Sequence, residues 1–200
     1  MAANKISAAI TETHSGEQLV KAVLDPYNMA GSSIHVNFTT SNPRRFKTSE
    51  HKSHINYVIG DSDWELDMAN ALENSPRVLA YVKNHSLGFE VPYLLGSEPR
   101  KYRPDFIAKV DDGLPGNPLN LIIEVKGYRG EASIEKANTM KAFWVPGVNN
   151  LKKFGRWAFI EFQGDVFEGE ASRLQESVDR LMTKHAQQNE NNKAASQNLS

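Results

Sequence analysis

Apolar and polar positions divide the chain into stretches of two periods. In "DSDWELDMANALENS" (61–75), Trp64, Met68, Ala71 and Leu72 recur at helical spacing. Ser62 is a good N-cap for this helix, Glu65 three residues on completes a capping box, and Pro76 ends it. Strands are predicted where β-branched and aromatic residues cluster: "IHVNFTTS", "HINYVIG", "RVLAYVK", "LGFEVPYLL", "KYRPDFIAKV", "LNLIIEVKG" and "GRWAFIEF". The turn-like "GSEP" joins the fourth to the fifth, and the loop "DDGLPGNP" joins the fifth to the sixth. "EASIEKANTMKAFWV" reads as a helix, with a short helix around "GEQLVKAVLD" and a final one around "ASRLQESVDRLMTKHA". This divides the chain into an N-terminal extension with a strand (1–48), a main domain (49–184) and a tail (185–200). The tail has no aromatic residue and too little apolar surface to offset the entropy of ordering, so it is expected to be disordered.

The strand faces carry the chemistry. Side chains alternate with period two. Leu119, Leu121, Ile123 and Val125 therefore point one way, and Asn120, Ile122, Glu124 and Lys126 the other. In 101–110, Tyr102, Phe106, Ala108 and Val110 share an apolar side, and Lys101, Arg103, Asp105 and Ile107 the opposite one. The short loop between these strands favours an antiparallel hairpin, which brings Asp105 towards Glu124. Two carboxylates at close range repel unless a cation lies between them. Mg²⁺ prefers such oxygen ligands. A lysine two strand residues further on can reach a phosphate or an attacking water. Carboxylates, cation and lysine together are the equipment of metal-assisted phosphodiester hydrolysis.

Composition narrows the setting. The chain has 200 residues, 40% hydrophobic, which suits one domain with extensions. A net charge of −1 announces no global affinity for nucleic acid, although a local basic patch suffices for phosphate binding. The absence of cysteine removes disulfides and thiolate metal sites and favours a reducing cytoplasm. No apolar run approaches the roughly 18 residues of a membrane span, and "MAANKISAAI" lacks the form of a signal peptide.

"PD" at Pro104–Asp105 followed by "EVK" at Glu124–Lys126 resembles the PD-(D/E)xK nuclease motif. With "SDWE", "RVLAYVKNHSLGFEVPY", "YRPDFI", "LIIEVKGY" and "FWVPGVNN…GRWAF", residues 32–170 resemble the C-terminal endonuclease domain of type III restriction enzyme Res subunits. The resemblance implies a restriction-endonuclease-like α/β fold, with a central mixed sheet of about five strands flanked by helices. It implies Mg²⁺-dependent cleavage of DNA. Asp105 and Glu124 match the metal-binding carboxylates, the Val125 carbonyl would help hold the ion, and Lys126 matches the catalytic lysine. Glu65 matches an acidic residue often found on the helix before the sheet. The implied partners are DNA, a helicase/ATPase subunit and a methyltransferase. Two copies of the site, as in a homodimer, would be needed for a double-strand break. The family's upstream motor is missing from this text, which has no G-x-x-x-x-G-K-[ST] string.

Blander readings stand beside these. Glu65 has a rival role as half of a capping box. Lys101, Arg103, Lys136 and Lys141 are candidate phosphate contacts or ordinary solvated cations, and "NPRRFK" with Lys52 is a DNA-facing patch or a surface loop. Asp111 and Asp112 read as turn residues, the three tryptophans as core, and the six histidines show no zinc spacing. A catalytically silent DNA- or protein-binding module, or a repair-type nuclease, remain alternative functions.

Overall fold

The computed structural model describes residues 2–3, 6–12, 18–24, 31–95, 98–126, 131–163, 176 and 179–180. In chain order its strands are β1 (Ala2–Ala3), β2 (Ile6–Glu12), β3 (Gln18–Leu24), β4 (Gly31–Ser32), β5 (Arg45–Lys47), β6 (Tyr57–Ile59), β7 (Val78–Lys83), β8 (Val91–Leu95), β9 (Glu98–Tyr102), β10 (Phe106–Val110), β11 (Leu119–Lys126) and β12 (Arg156–Gln163). The α-helices are α1 (Asp63–Asn74), α2 (Glu131–Thr139) and α3 (Val145–Leu151). A 3₁₀ turn covers Ser33–His35, and a π-helical stretch, Met140–Trp144, links α2 to α3.

The central sheet is mixed, with order β12-β11-β10-β7. β10 pairs antiparallel with both β11 and β7, and β11 pairs parallel with β12 through the helical crossover. It has four strands in the described residues, one fewer than the sequence suggests. β5–β6 and β8–β9 form separate antiparallel hairpins.

Both faces of the sheet are covered. On one, Met68, Ala69, Ala71 and Leu72 of α1 pack against Tyr81, Phe106, Ala108, Leu121 and Ile123. On the other, Met140, Trp144 and Val148 pack with Val82, Ile107, Ile122 and Trp157, and the β8–β9 hairpin adds Tyr93 and Tyr102. Phe106, Ile107, Leu121, Ile122 and Ile123 are all fully buried, so β10 and β11 read as near-continuous apolar runs. Charged residues can then enter only at the strand ends, and that is where Asp105, Glu124 and Lys126 lie.

Several expected elements differ. The helix around "GEQLVKAVLD" is the strand β3, paired residue for residue with β2 from Ile6↔Leu24 to Glu12↔Gln18. The short run fits either period, and the available partner decides. "IHVNFTTS" is not a strand. Asn42 and Thr40 side chains accept backbone N–H bonds from Arg44 and Asn42, which replaces a ladder with local turns. The ladder begins instead at β5, inside the stretch expected to be a polar loop.

"KYRPDFIAKV" is broken into β9 and β10 at Arg103–Pro104–Asp105. Pro104 has no N–H to give a ladder, and the break puts Tyr102 with Ile107 rather than with Phe106. The helix predicted over 131–145 runs as α-helix only to Thr139. Pro146 lies in the first turn of α3 and cannot donate to a carbonyl four residues back, a cause of the looser π stretch before it. Trp64 is 36% exposed, unlike the buried Trp144 and Trp157. The last expected helix falls outside the described residues except for helical Glu176, Asp179 and Arg180. The 185–200 tail and half of "GSEP" also fall outside them.

Candidate active site

The β10–β11 register runs from Phe106↔Ile123 to Val110↔Leu119. One step beyond the first pair, Asp105 comes opposite Glu124. The Asp105 Oδ2 atom accepts the Val125 N–H at 2.7 Å. That bond fixes the carboxylate against β11 where the β10 ladder stops. Asn84 N–H donates to the Asp105 carbonyl at 2.8 Å, which ties the same turn to β7.

Glu124 is only 7% exposed. Its Oε1 lies 3.7 Å from Lys126 Nζ, and its Oε2 is buried with no hydrogen-bond partner. Lys126 Nζ also lies 3.2 Å from Glu161 Oε1 and donates to Ser133 Oγ of α2. Glu161 arrives through the parallel pairing of β11 with β12, where it is the partner of Glu124. One ammonium is thus held between two carboxylates.

A second lysine, this one buried, repeats the arrangement on the α1 side. Lys83, at the end of β7, is 6% exposed. It pairs with Glu65, lies 3.3 Å from Asp61 Oδ2 and donates to the Ile59 carbonyl at 2.8 Å. Glu65 is buried and its Oε2 accepts the Asp61 N–H at 2.7 Å, while the Glu65 N–H donates to Ser62 Oγ at 3.3 Å. Ser62 is therefore the N-cap as expected. The Glu65 side chain binds the residue before the cap and Lys83, rather than closing the box on Ser62 itself.

The electrostatics follow from burial. Loss of water pushes Asp105 up to about 6, and the neighbouring Glu65 charge adds to the rise. The Val125 N–H, Lys83 and Lys126 oppose it. Burial, then the Asp105 charge, pushes Glu124 up to about 8 against Lys126 and Lys136. The protein holds these two carboxylates where their joint ionisation is unfavourable, a signature of functional sites. Tyr102 adds a buried hydroxyl with no hydrogen-bond partner, raised by burial and by Glu124, Asp105 and Glu161. It therefore stays protonated beside them.

Mg²⁺ fits this donor set. The orphaned Glu124 oxygen and the strained carboxylate pair are what a cation would relieve, and Asp105, Glu124 and the Val125 carbonyl are hard oxygen donors. Among the described residues, no group of three or more histidine or carboxylate side chains forms a ready-made metal cage. An ion here would complete its shell with water and substrate oxygens, as is usual for Mg²⁺.

The cations named from sequence separate. Lys136 sits 5.3 Å from the Tyr102 ring centre, 5.9 Å from that of Tyr93, and within electrostatic reach of Glu124. Lys101 and Arg103 are exposed, and both pair with Glu90, at 3.3 and 2.9 Å. Lys141 is exposed on the π stretch. Lys52 is structural: it donates to the Glu73 and Ser75 carbonyls at 2.6 and 2.8 Å, capping the C-terminus of α1. Arg44 is held by Asp63 and the Asp61 carbonyl. Asp112 forms a two-point pair with Arg156.

Lys83, Glu161, Ser133 and Tyr102 were not singled out from sequence. The available signal was a charge closing or interrupting an apolar strand run: Lys83 ends "VLAYV" as Lys126 ends "LIIEV", and Glu161 interrupts "AFIEF".

The α/β core thus carries carboxylates and a lysine at the open strand ends of a mixed four-stranded sheet. Residues 51–145, just under half of the chain, match the family model described as "Endonuclease domain". The fold is restriction-endonuclease-like, and the match supports a nuclease domain for which DNA is the implied substrate. No curated protein and no solved structure matches the chain.

Proposed function

We propose that the chain is a Mg²⁺-dependent DNA endonuclease, the nuclease module of a type III-like restriction system. The observation that carries this reading is the buried Glu124, with its partnerless oxygen, beside Asp105 and Lys126. Asp105, Glu124 and the Val125 carbonyl would hold the ion. When bound, Mg²⁺ would supply Lewis-acid polarisation of the phosphate and a lowered pKa for nearby water.

The remaining work falls to the chain. The Val125 N–H keeps Asp105 oriented. Glu161 and Ser133 hold Lys126 so that its ammonium is fixed near the carboxylate pair. Lys126 orients the attacking water or stabilises charge growing on the phosphorane. Lys136 and the exposed Lys101, Arg103 and Lys141 approach the phosphates, with the Glu90 pairs exchanged for DNA contacts. Glu65 balances Lys83 next to Asp105 and carries no ligand role in this reading.

One such site cuts one strand, so a double-strand break needs two copies, from a homodimer or from two complexes meeting on DNA. Recognition and translocation would come from a methyltransferase and a helicase/ATPase subunit, in the cytoplasm. Among the described residues, no helix is long and apolar enough to cross a membrane.

The test is supercoiled-plasmid nicking with Mg²⁺, with EDTA, and with the Asp105→Ala protein. Cleavage is expected only for the unaltered chain with Mg²⁺. Cleavage undiminished in EDTA, or by Asp105→Ala, would overturn the reading. DNA binding without cleavage under any condition would favour the silent binding module.

A further inference from the structure

The structure holds five carboxylates at one end of the sheet, from Asp61, Glu65, Asp105, Glu124 and Glu161, together with the buried Lys83 and the half-buried Lys126. The lysines are not distributed evenly. Lys83 bridges Asp61 and Glu65, and Lys126 bridges Glu124 and Glu161. Asp105 lies between these bridges: it precedes Phe106, the register partner of Lys83, and its carboxylate accepts the N–H of Val125, the residue between Glu124 and Lys126.

Two sites for a divalent cation could in principle be assembled around Asp105, one with Glu124 and one with Glu65. They are not equivalent. The Glu124 side has an oxygen that is buried and partnerless. On the Glu65 side, Oε2 already accepts Lys83 Nζ and the Asp61 N–H. Lys83 is itself anchored by the Ile59 carbonyl and is 6% exposed, so it cannot swing away into solvent without leaving Glu65 buried and uncompensated. An ammonium at this point supplies the positive charge that a second ion would bring, at fixed geometry and without dissociating.

Building on the nuclease reading above, we propose that the Lys83 ammonium stands in for a second divalent cation. The site then binds one Mg²⁺ per chain, at Asp105 and Glu124, and the Lys83–Glu65 pair occupies the place beside Asp105 that a second ion would take. Glu65 thereby acts through Lys83 and Asp105, not as a ligand.

The experiment counts ions rather than turnover. Mn²⁺ is titrated into the full chain, and free Mn²⁺ is followed by its electron paramagnetic resonance signal. One Mn²⁺ per chain is expected for the unaltered protein. Lys83→Ala, which frees Glu65 and opens room beside it, should raise the count to two. Glu65→Gln keeps shape and size, so it is expected to fold even if Lys83→Ala does not. It should leave the count at one and the affinity within about threefold.

Two ions in the unaltered protein, or a tenfold or greater loss of affinity in Glu65→Gln, would overturn the proposal while leaving the nuclease reading intact. A count of one in Lys83→Ala would overturn it too, making Lys83 a structural charge. No bound Mn²⁺ at millimolar concentration, in a protein whose Asp105→Ala variant behaves identically, would end both readings.

Discussion

Replacing Glu124 with glutamine should make the metal-free protein more stable at alkaline pH while removing cleavage. The raised carboxylate binds its proton more tightly in the folded chain than in the unfolded one. Its contribution to stability is therefore fully present below its ordinary value of 4.5 and is lost as pH rises through about 8. At about 1.4 kcal/mol for each pH unit, that interval sets a ceiling near 5 kcal/mol. Local relaxation and water entry reduce it, and about 2–4 kcal/mol is a reasonable expectation. For a chain of this size each kcal/mol corresponds to roughly 2–4 °C in Tm. Wild type in EDTA should thus lose about 5–15 °C more than Glu124→Gln between pH 4.5 and 8.5. Asp105 contributes with the same sign over a lower interval, ending near 6, and remains in both proteins. The assay is thermal unfolding by circular dichroism across this range, in EDTA and in Ca²⁺. Ca²⁺ should flatten the wild-type profile and leave the variant's almost unchanged. Parallel profiles for the two proteins in EDTA would refute the argument that Glu124 is held at an electrostatic cost.

Lys126→Ala should lower cleavage by about 10²–10³ while leaving DNA binding in Ca²⁺ within a few-fold, and Lys126→Arg should rescue poorly because the planar guanidinium directs its charge differently. Near wild-type cleavage by Lys126→Ala would sink the proposed role. Glu161→Gln should slow cleavage about tenfold or more without loss of Mn²⁺ binding, because it loosens Lys126 rather than a ligand; unchanged kinetics would make Glu161 a bystander. Lys52→Met should cost about 1–2 kcal/mol, read as a lower urea midpoint, because it removes two charge-assisted bonds from the end of α1. Arg156→Ala should cost about 2–4 kcal/mol, since it removes a two-point charged pair from the buried Asp112 carboxylate; a loss below about 0.5 kcal/mol would show that the pair adds little to stability.

The parts of the fold legible in the sequence are those governed by local period. α1 and its Ser62 cap, β7, β11 and β12 lie within a residue or two of where patterning puts them. Alternation along β11 alone puts Glu124 and Lys126 on one face and Leu121 and Ile123 on the other, as observed. Period counting fails where something interrupts it. Counting straight through Pro104 put Tyr102 with Phe106, although the chain breaks there and Tyr102 joins the opposite layer. Counting through Pro146 gave one helix where there are an α-helix, a π stretch and a second α-helix. In the N-terminal segment, Gln18–Leu24 satisfies either period, and pairing with Ile6–Glu12 decides.

What patterning could not reach at the site is non-local. Glu161 meets Lys126 only because the helical crossover returns the chain to lie parallel to β11 in the register Glu124↔Glu161. A shift of one residue would turn Glu161 to the α1 face, among Ala158, Ile160 and Phe162. Lys83 meets Glu65 only because α1 crosses the end of β7. The motif residues are thus the readable half of a longer arrangement. Asp105, Glu124 and Lys126 come from one hairpin, so 20-odd residues of text can announce them. The groups that hold them in place come from α1, α2, β7 and β12. This division has a physical basis. A hairpin fixes the reacting carboxylates relative to one another through adjacent backbone bonds, such as Val125 N–H to Asp105. The compensating charges need only lie within reach, and any element that packs at the strand ends can deliver them.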